Sequence, residues 1–99
     1  MITKEKIRSE LKDIRYYYSK KEAFDAHFRE TGENNVLQTI AKYNEIIRRA
    51  SPQLYEVYAS LYIRGITQES AAEEMDYSPY YVFKLNNKLV KMFYDELNK

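Results

Sequence analysis

Two helix-start signals standing almost back to back constrain this chain more than anything else in it. Thr67 precedes the run Gln68 to Met75, and its hydroxyl can cap the free N–H groups of the first turn, with Glu69 close to the positive helix end. Ser78 and Pro79 then open a second helix, because Ser is a good N-cap and Pro suits the first helical position, where its missing N–H costs nothing. Asp76 and Tyr77 are all that remain for the turn. Helices joined so closely must cross steeply, which calls for small residues where their axes approach, and Ala71 and Ala72 supply them. Residues 65–91 therefore read as a helix-turn-helix. Counting from Gln68, Ala72 is fifth, Asp76 ninth, Val82 fifteenth and Leu85 eighteenth, which are the small, turn, apolar and apolar positions of that motif. Gly is usual at the ninth place, where the backbone tends to be left-handed; Asp tolerates that conformation better than most residues.

At about 100° per residue, Val82, Leu85, Leu89 and Met92 or Phe93 share one side of the second helix, the expected core face. Tyr80, Lys84, Asn87 and Lys91 form a line on the other side, with Lys88 beside it. That line suits DNA: lysines pair with phosphates, Asn makes a bidentate contact with adenine, and Tyr bonds a phosphate or packs on a thymine methyl. From Tyr77 to Tyr94 there are three lysines and no acidic residue. Any amphipathic surface helix also exposes a polar face, so the line takes its meaning from the turn that precedes it. Other residues pull the opposite way. The second helix has no Arg, Glu69, Glu73, Glu74 and Asp76 make the first one acidic, and Tyr81 and Phe83 flank the line, where they either pack on neighbouring helices or mark a protein interface.

The stretch 54–97, LYEVYASLYIRGITQESAAEEMDYSPYYVFKLNNKLVKMFYDEL, resembles a sigma-factor region-4-like domain, and in particular the small ArpU- and RinA-type late transcriptional regulators of phages of Gram-positive bacteria. The pieces that carry the resemblance are the helix ending in YIRG, the TQESAAEEM helix, and the YS turn leading into the recognition helix. The resemblance implies DNA binding through the second helix, with Ser78, Pro79, Tyr80, Tyr81, Lys84 and Lys88 facing the duplex. The same scaffold also serves proteins that bind other regulators, so the fold does not dictate the function.

Ninety-nine residues suffice for one domain. Two glycines, two prolines and no alternating strand pattern predict an all-α fold of about five helices, with N-terminal helices over 1–50 and the helix-turn-helix region over 52–97. The net charge of +1 is unevenly spread: residues 1–21 carry +4, residues 22–51 carry −1 and residues 52–99 carry −2. Thr3 caps the first helix, where Ile7, Leu11, Ile14 and Tyr18 recur as an apolar stripe and Lys4, Arg8, Lys12 and Arg15 lie off it. Tyr16, Tyr17 and Tyr18 cannot all face one core. Some periodicity continues through Ala23, Phe24 and Phe28, and residues 31–35 read as a loop. Val36, Leu37, Ile40, Tyr43 and Ile47 mark a helix from Asn35 to about Ala50. Ser51 and Pro52 start the next, along which Leu54, Val57, Tyr58, Leu61 and Tyr62 point inward until Gly65 ends it. Tyr55, Tyr58, Tyr62 and Tyr77 are expected to bury their rings while keeping their hydroxyls wet.

Catalysis is the reading with least support. The sequence has no Gly-rich phosphate loop, no cysteine and one histidine (His27), and Ser60, Ser70 and Ser78 have no histidine nearby in sequence, so neither an enzyme, a metal site nor a cofactor is expected. No signal peptide or long apolar run is seen, and a cytoplasmic protein of a bacterial host cell is expected, with no membrane contact. The leading expectation is a sequence-specific regulator of transcription that binds double-stranded DNA as a homodimer. The alternative is an interaction module on the same scaffold, binding and inhibiting another transcription regulator or RNA polymerase. A positive face joining Lys84, Lys88 and Lys91 to the basic first helix favours DNA, and an aromatic patch favours a protein partner.

Overall fold

A computed structural model describes residues 1–23, 25 and 35–99. Among them the fold is all-α: α1 (Lys4–Ser19), α2 (Asn35–Ile47), α3 (Pro52–Tyr58), a π-helical turn (Ala59–Ile63), α4 (Gln68–Met75) and α5 (Pro79–Leu97), with no strand among the described residues. The periodicity at Phe24 and Phe28, His27, and residues 31–34 of the loop expected over 31–35 lie outside the described residues.

Local chemistry sets most helix starts. Thr3, Ser51, Thr67 and Ser78 each stand in extended backbone just before a helix, and each side chain accepts from the N–H three residues on. Pro52 and Pro79 occupy first-turn positions, where no intrahelical donor is required of them. Helix α4 ends at Asp76, which is left-handed at φ 60° and ψ 41°, and the Tyr77 N–H closes onto the Ala72 carbonyl at 2.8 Å. The turn thus takes the conformation expected of the ninth position, with Asp in the place where Gly is usual.

One apolar core joins all of these elements. Ile7, Leu11 and Ile14 of α1 meet Ile40, Tyr43, Ile46 and Ile47 of α2, Leu54, Val57 and Tyr58 of α3, and Leu61 of the π turn. Helix α5 runs through the middle and buries Val82, Leu85, Leu89, Val90 and Phe93. Each such side chain contributes about 1.5–3 kcal/mol by leaving water. The Phe93 ring sits 4.7 Å from that of Tyr43 and 5.9 Å from that of Tyr58, centroid to centroid. Helix α1 lies antiparallel to α5. The Asn98 side chain accepts from the Ile2 N–H at 2.8 Å and donates to the Ile2 carbonyl at 2.9 Å, while Arg8 reaches Asn87.

Several expectations are corrected in detail. On α1 the fourth buried residue is Tyr17, and Tyr18 is half-buried with its ring edge-on to Tyr17. On α5 Phe93 fills the core position and Met92 is half-buried. Helix α2 stops at Ile47, and residues 48–50 form turns. The helix after Pro52 widens into a π turn, with the Arg64 N–H bonded to the Ala59 carbonyl at 2.8 Å, before Gly65 turns left-handed at φ 69°. A Cβ at Gly65 would meet its nearest neighbour, Arg15 Nε, at an ordinary 3.7 Å, so glycine is required by the backbone angle and not by space. Of the tyrosines expected to bury their rings and keep their hydroxyls wet, Tyr58 donates inside the protein to Asn44 at 3.3 Å and Tyr62 to Asn86 at 2.5 Å, whereas Tyr55 leaves its ring exposed. Asn86 is buried in the core, where no apolar pattern could announce it, and the Tyr62 bond meets its need for a partner.

Candidate nucleic-acid interface

Ser78, Tyr80, Tyr81, Lys84, Asn87, Lys88 and Lys91 occupy the start and outer side of α5. Because Val82, Leu85, Leu89 and Phe93 are turned into the core, the helical repeat holds Lys84, Lys88 and Lys91 outward, and all three are exposed. Their surroundings differ. Lys84 Nζ lies 5.8 Å from the Tyr80 ring centroid, a cation–π arrangement. Lys91 is paired with Asp95 at 2.9 Å, one turn further on. Such an exposed pair is worth under about 1 kcal/mol, so Lys91 is free to exchange its partner for a phosphate at little cost.

The aromatic residues divide into two groups. Tyr80 and Phe83 are 68% and 48% exposed, and their rings stack at 6.3 Å with 22° between planes. Tyr81 belongs to the turn: its ring meets that of Tyr77 edge-on at 4.9 Å, and the Gln53 amide donates to both hydroxyls, at 3.1 Å to Tyr77 and 3.2 Å to Tyr81. Gln53 lies in the first turn of α3, so it ties the front of α5 to the helix behind it. The Ser78 hydroxyl accepts from the Tyr81 N–H at 3.1 Å, which commits it to capping α5.

The feature that sequence reading could not place is the flank of α5. Arg8 Nη2 donates to Asn87 Oδ1 at 3.2 Å across a separation of 79 residues, and Lys4 Nζ lies 5.5 Å from the centroid of the Tyr94 ring. The only sequence signal for Arg8 is its phase, off the buried stripe of α1. Further along the same helix, Arg15 donates to the Gly65 carbonyl at 2.8 Å, fixing α1 beside the chain segment that leads into α4. Two cationic residues of α1 therefore adjoin the outer line of α5.

Helix α4 carries the opposite sign. Glu69, Glu73, Glu74 and Asp76 are all exposed. Arg64 grips Glu74 with two bonds of 2.9 Å, and these hydrogen bonds hold the Glu74 carboxyl below the ordinary carboxylate range. Glu69 and Glu73 are left to present negative charge. Among the described residues, no group of three or more acidic or histidine side chains is placed to hold a metal ion, and no helix is long and apolar enough to cross a membrane. No family model, no curated protein and no solved structure matches the chain.

Proposed function

We propose that this protein is a sequence-specific, double-stranded-DNA-binding regulator of transcription, encoded by a phage or other mobile element and acting in the bacterial cytoplasm. In this reading α4 and α5 form the helix-turn-helix of a sigma region-4-like domain, and α5 enters the major groove. Tyr80, Lys84, Asn87, Lys88 and Lys91 face the duplex, while Ser78 and Tyr81 hold the front of α5 in place. The observation that carries the reading is the union of two basic surfaces distant in sequence: exposed Lys84, Lys88 and Lys91 on α5, with Arg8 and Lys4 of α1 brought to their flank. Clustered cations bind a polyanion by releasing its condensed counterions, whichever helix supplies them. A homodimer would set two such helices against successive half-sites about one DNA turn apart, and the exposed Tyr16 on α1 is a candidate contact for it.

The test is a fluorescence titration of the full chain against duplexes from its own genomic neighbourhood, at low and at moderate salt. Specific, salt-sensitive binding is expected, and Lys84→Glu with Lys88→Glu should remove it while leaving the melting curve in place, because neither residue is in the core. Unchanged affinity in that variant would rule out α5 as the reading helix.

A second reading has its own observation. The exposed, stacked Tyr80 and Phe83 rings beside an acidic α4 make a surface suited to a protein partner, such as another transcription regulator or RNA polymerase, which the chain would then inhibit. Absence of duplex binding by well-folded protein, with loss of partner capture in Tyr80→Ala and Phe83→Ala, would select it.

A further inference from the structure

We infer that Arg8 and Asn87 together form a donor-only reader of guanine, with Arg8 supplying from α1 the guanidinium that α5 lacks. This rests on the proposal that α5 is a DNA-reading helix, and it names the base favoured at the middle of that helix. Arg8 Nη2 donates to Asn87 Oδ1 at 3.2 Å. A guanidinium has donors and no acceptor, so the bond dictates which way the amide is turned: Oδ1 faces Arg8 and the Nδ2 hydrogens face away from it. Asparagine reads adenine with both ends, accepting from N6 and donating to N7. With Oδ1 engaged, Asn87 has its donors left to offer, and the remaining N–H groups of Arg8 are donors as well. In the major groove the purine edge with two adjacent acceptors is that of guanine, N7 and O6.

The pair is also held as a unit. Arg8 is exposed and Asn87 half-buried, so the guanidinium can reach outward while the amide beneath it is braced. Helix α1 is fastened on both sides of Arg8, to the end of α5 by the Ile2–Asn98 bonds and to the segment that leads into α4 by Arg15 on the Gly65 carbonyl. Arg8 is thus carried on a fixed helix, where a reading residue needs to be.

The experiment selects the preferred site of the full chain from randomised duplexes, then titrates that site with G·C or A·T at each position. Wild type, Arg8→Gln, Arg8→Lys and Asn87→Ala are compared, each first checked by its melting curve. The expected result is one position where guanine is favoured about tenfold or more over adenine, a preference that collapses in both Arg8 variants through loss on the guanine duplex alone. A loss equal on all duplexes in Arg8→Gln, with a salt slope reduced by about one and recovery in Arg8→Lys, would make Arg8 a phosphate contact and overturn the inference. Adenine preferred at the position sensitive to Asn87→Ala would overturn it too, while leaving the DNA-reading proposal standing. Wild-type protein that binds no duplex overturns that proposal and this inference with it.

Discussion

Helix α4 buries Ala71 and Ala72 and exposes Glu69, Glu73 and Glu74, whereas α5, joined to it across Asp76 to Ser78, buries Val82, Leu85, Asn86, Leu89, Val90 and Phe93 and exposes Lys84, Lys88 and Lys91. The inner faces differ because the two helices have different structural tasks. Helix α5 is the central support of the core and needs large side chains to fill the space between α1, α2 and α3. Helix α4 packs mainly on α5, and small residues let its backbone come close. The outer faces differ in sign, and that difference concerns partners rather than folding, since exposed charges on either helix contribute little to stability. On the DNA-binding reading, a duplex is repelled by α4 and drawn to α5 and the neighbouring edge of α1, so the charges orient it before any base is read.

The largest effect should come from the inner face of α5: Val82→Asp buries an unpaired charge at a fully enclosed position and should cost about 3–5 kcal/mol or unfold the chain outright. An unaltered denaturant midpoint would mean that the two faces of α5 have been exchanged. The inner face of α4 should fail in the opposite way, by overfilling. Ala72→Leu should cost about 1–3 kcal/mol, read from the same denaturant series, whereas a leucine accommodated without loss would show that the two helices do not depend on close approach.

A third prediction probes the tyrosines packed on Phe93. Burial, and for Tyr43 also its 2.7 Å bond to Glu10, raises the hydroxyl pKa of Tyr43 and Tyr58 well above the ordinary tyrosine value. A pKa raised in the folded state contributes stability that is fully present below the unfolded value of about 10 and is lost as pH rises above it, because the unfolded chain releases those protons first. Urea midpoints should therefore hold from about pH 8 to about pH 10 and fall beyond, with a shallower fall in Tyr43→Phe. Identical alkaline slopes for wild type and variant would remove Tyr43 from the account.

The smallest effect concerns the outer face of α4. Replacing Glu69 and Glu73 by Gln should leave stability within about 0.5 kcal/mol, as for ordinary surface substitutions. It should tighten duplex binding a few-fold at low salt, with the gain fading as salt is raised. Weaker binding in that variant would indicate that α4 contributes specific contacts and not merely repulsion.

How far the molecule was legible depends on the range of the interaction concerned. The four capped helix starts at Thr3, Ser51, Thr67 and Ser78, the left-handed Asp76 and the apolar stripes of α1 and α5 were readable because each rests on residues within a few positions of one another. Tyr17 against Tyr18 and Phe93 against Met92 were not separable by periodicity, since neighbours on a helix differ by one step of rotation and only the packing partner selects between them. The buried Asn86 and the π turn over Ala59–Ile63 left no mark in the pattern, because polar burial is permitted by a distant partner, Tyr62, and the wide turn by the fit of the helix among its neighbours.

The candidate site divides the same way. By itself the sequence determined that Lys84, Lys88 and Lys91 lie opposite a hydrophobic stripe, because a 3.6-residue repeat requires it. Only the tertiary structure decided that Tyr81 is held by Gln53, that Asn87 is held by Arg8, and that the basic first helix flanks α5 and not some other part of the surface. Those contacts join residues 28 and 79 positions apart, and no local rule reaches so far; they exist because a shared apolar core draws α1, α3 and α5 together.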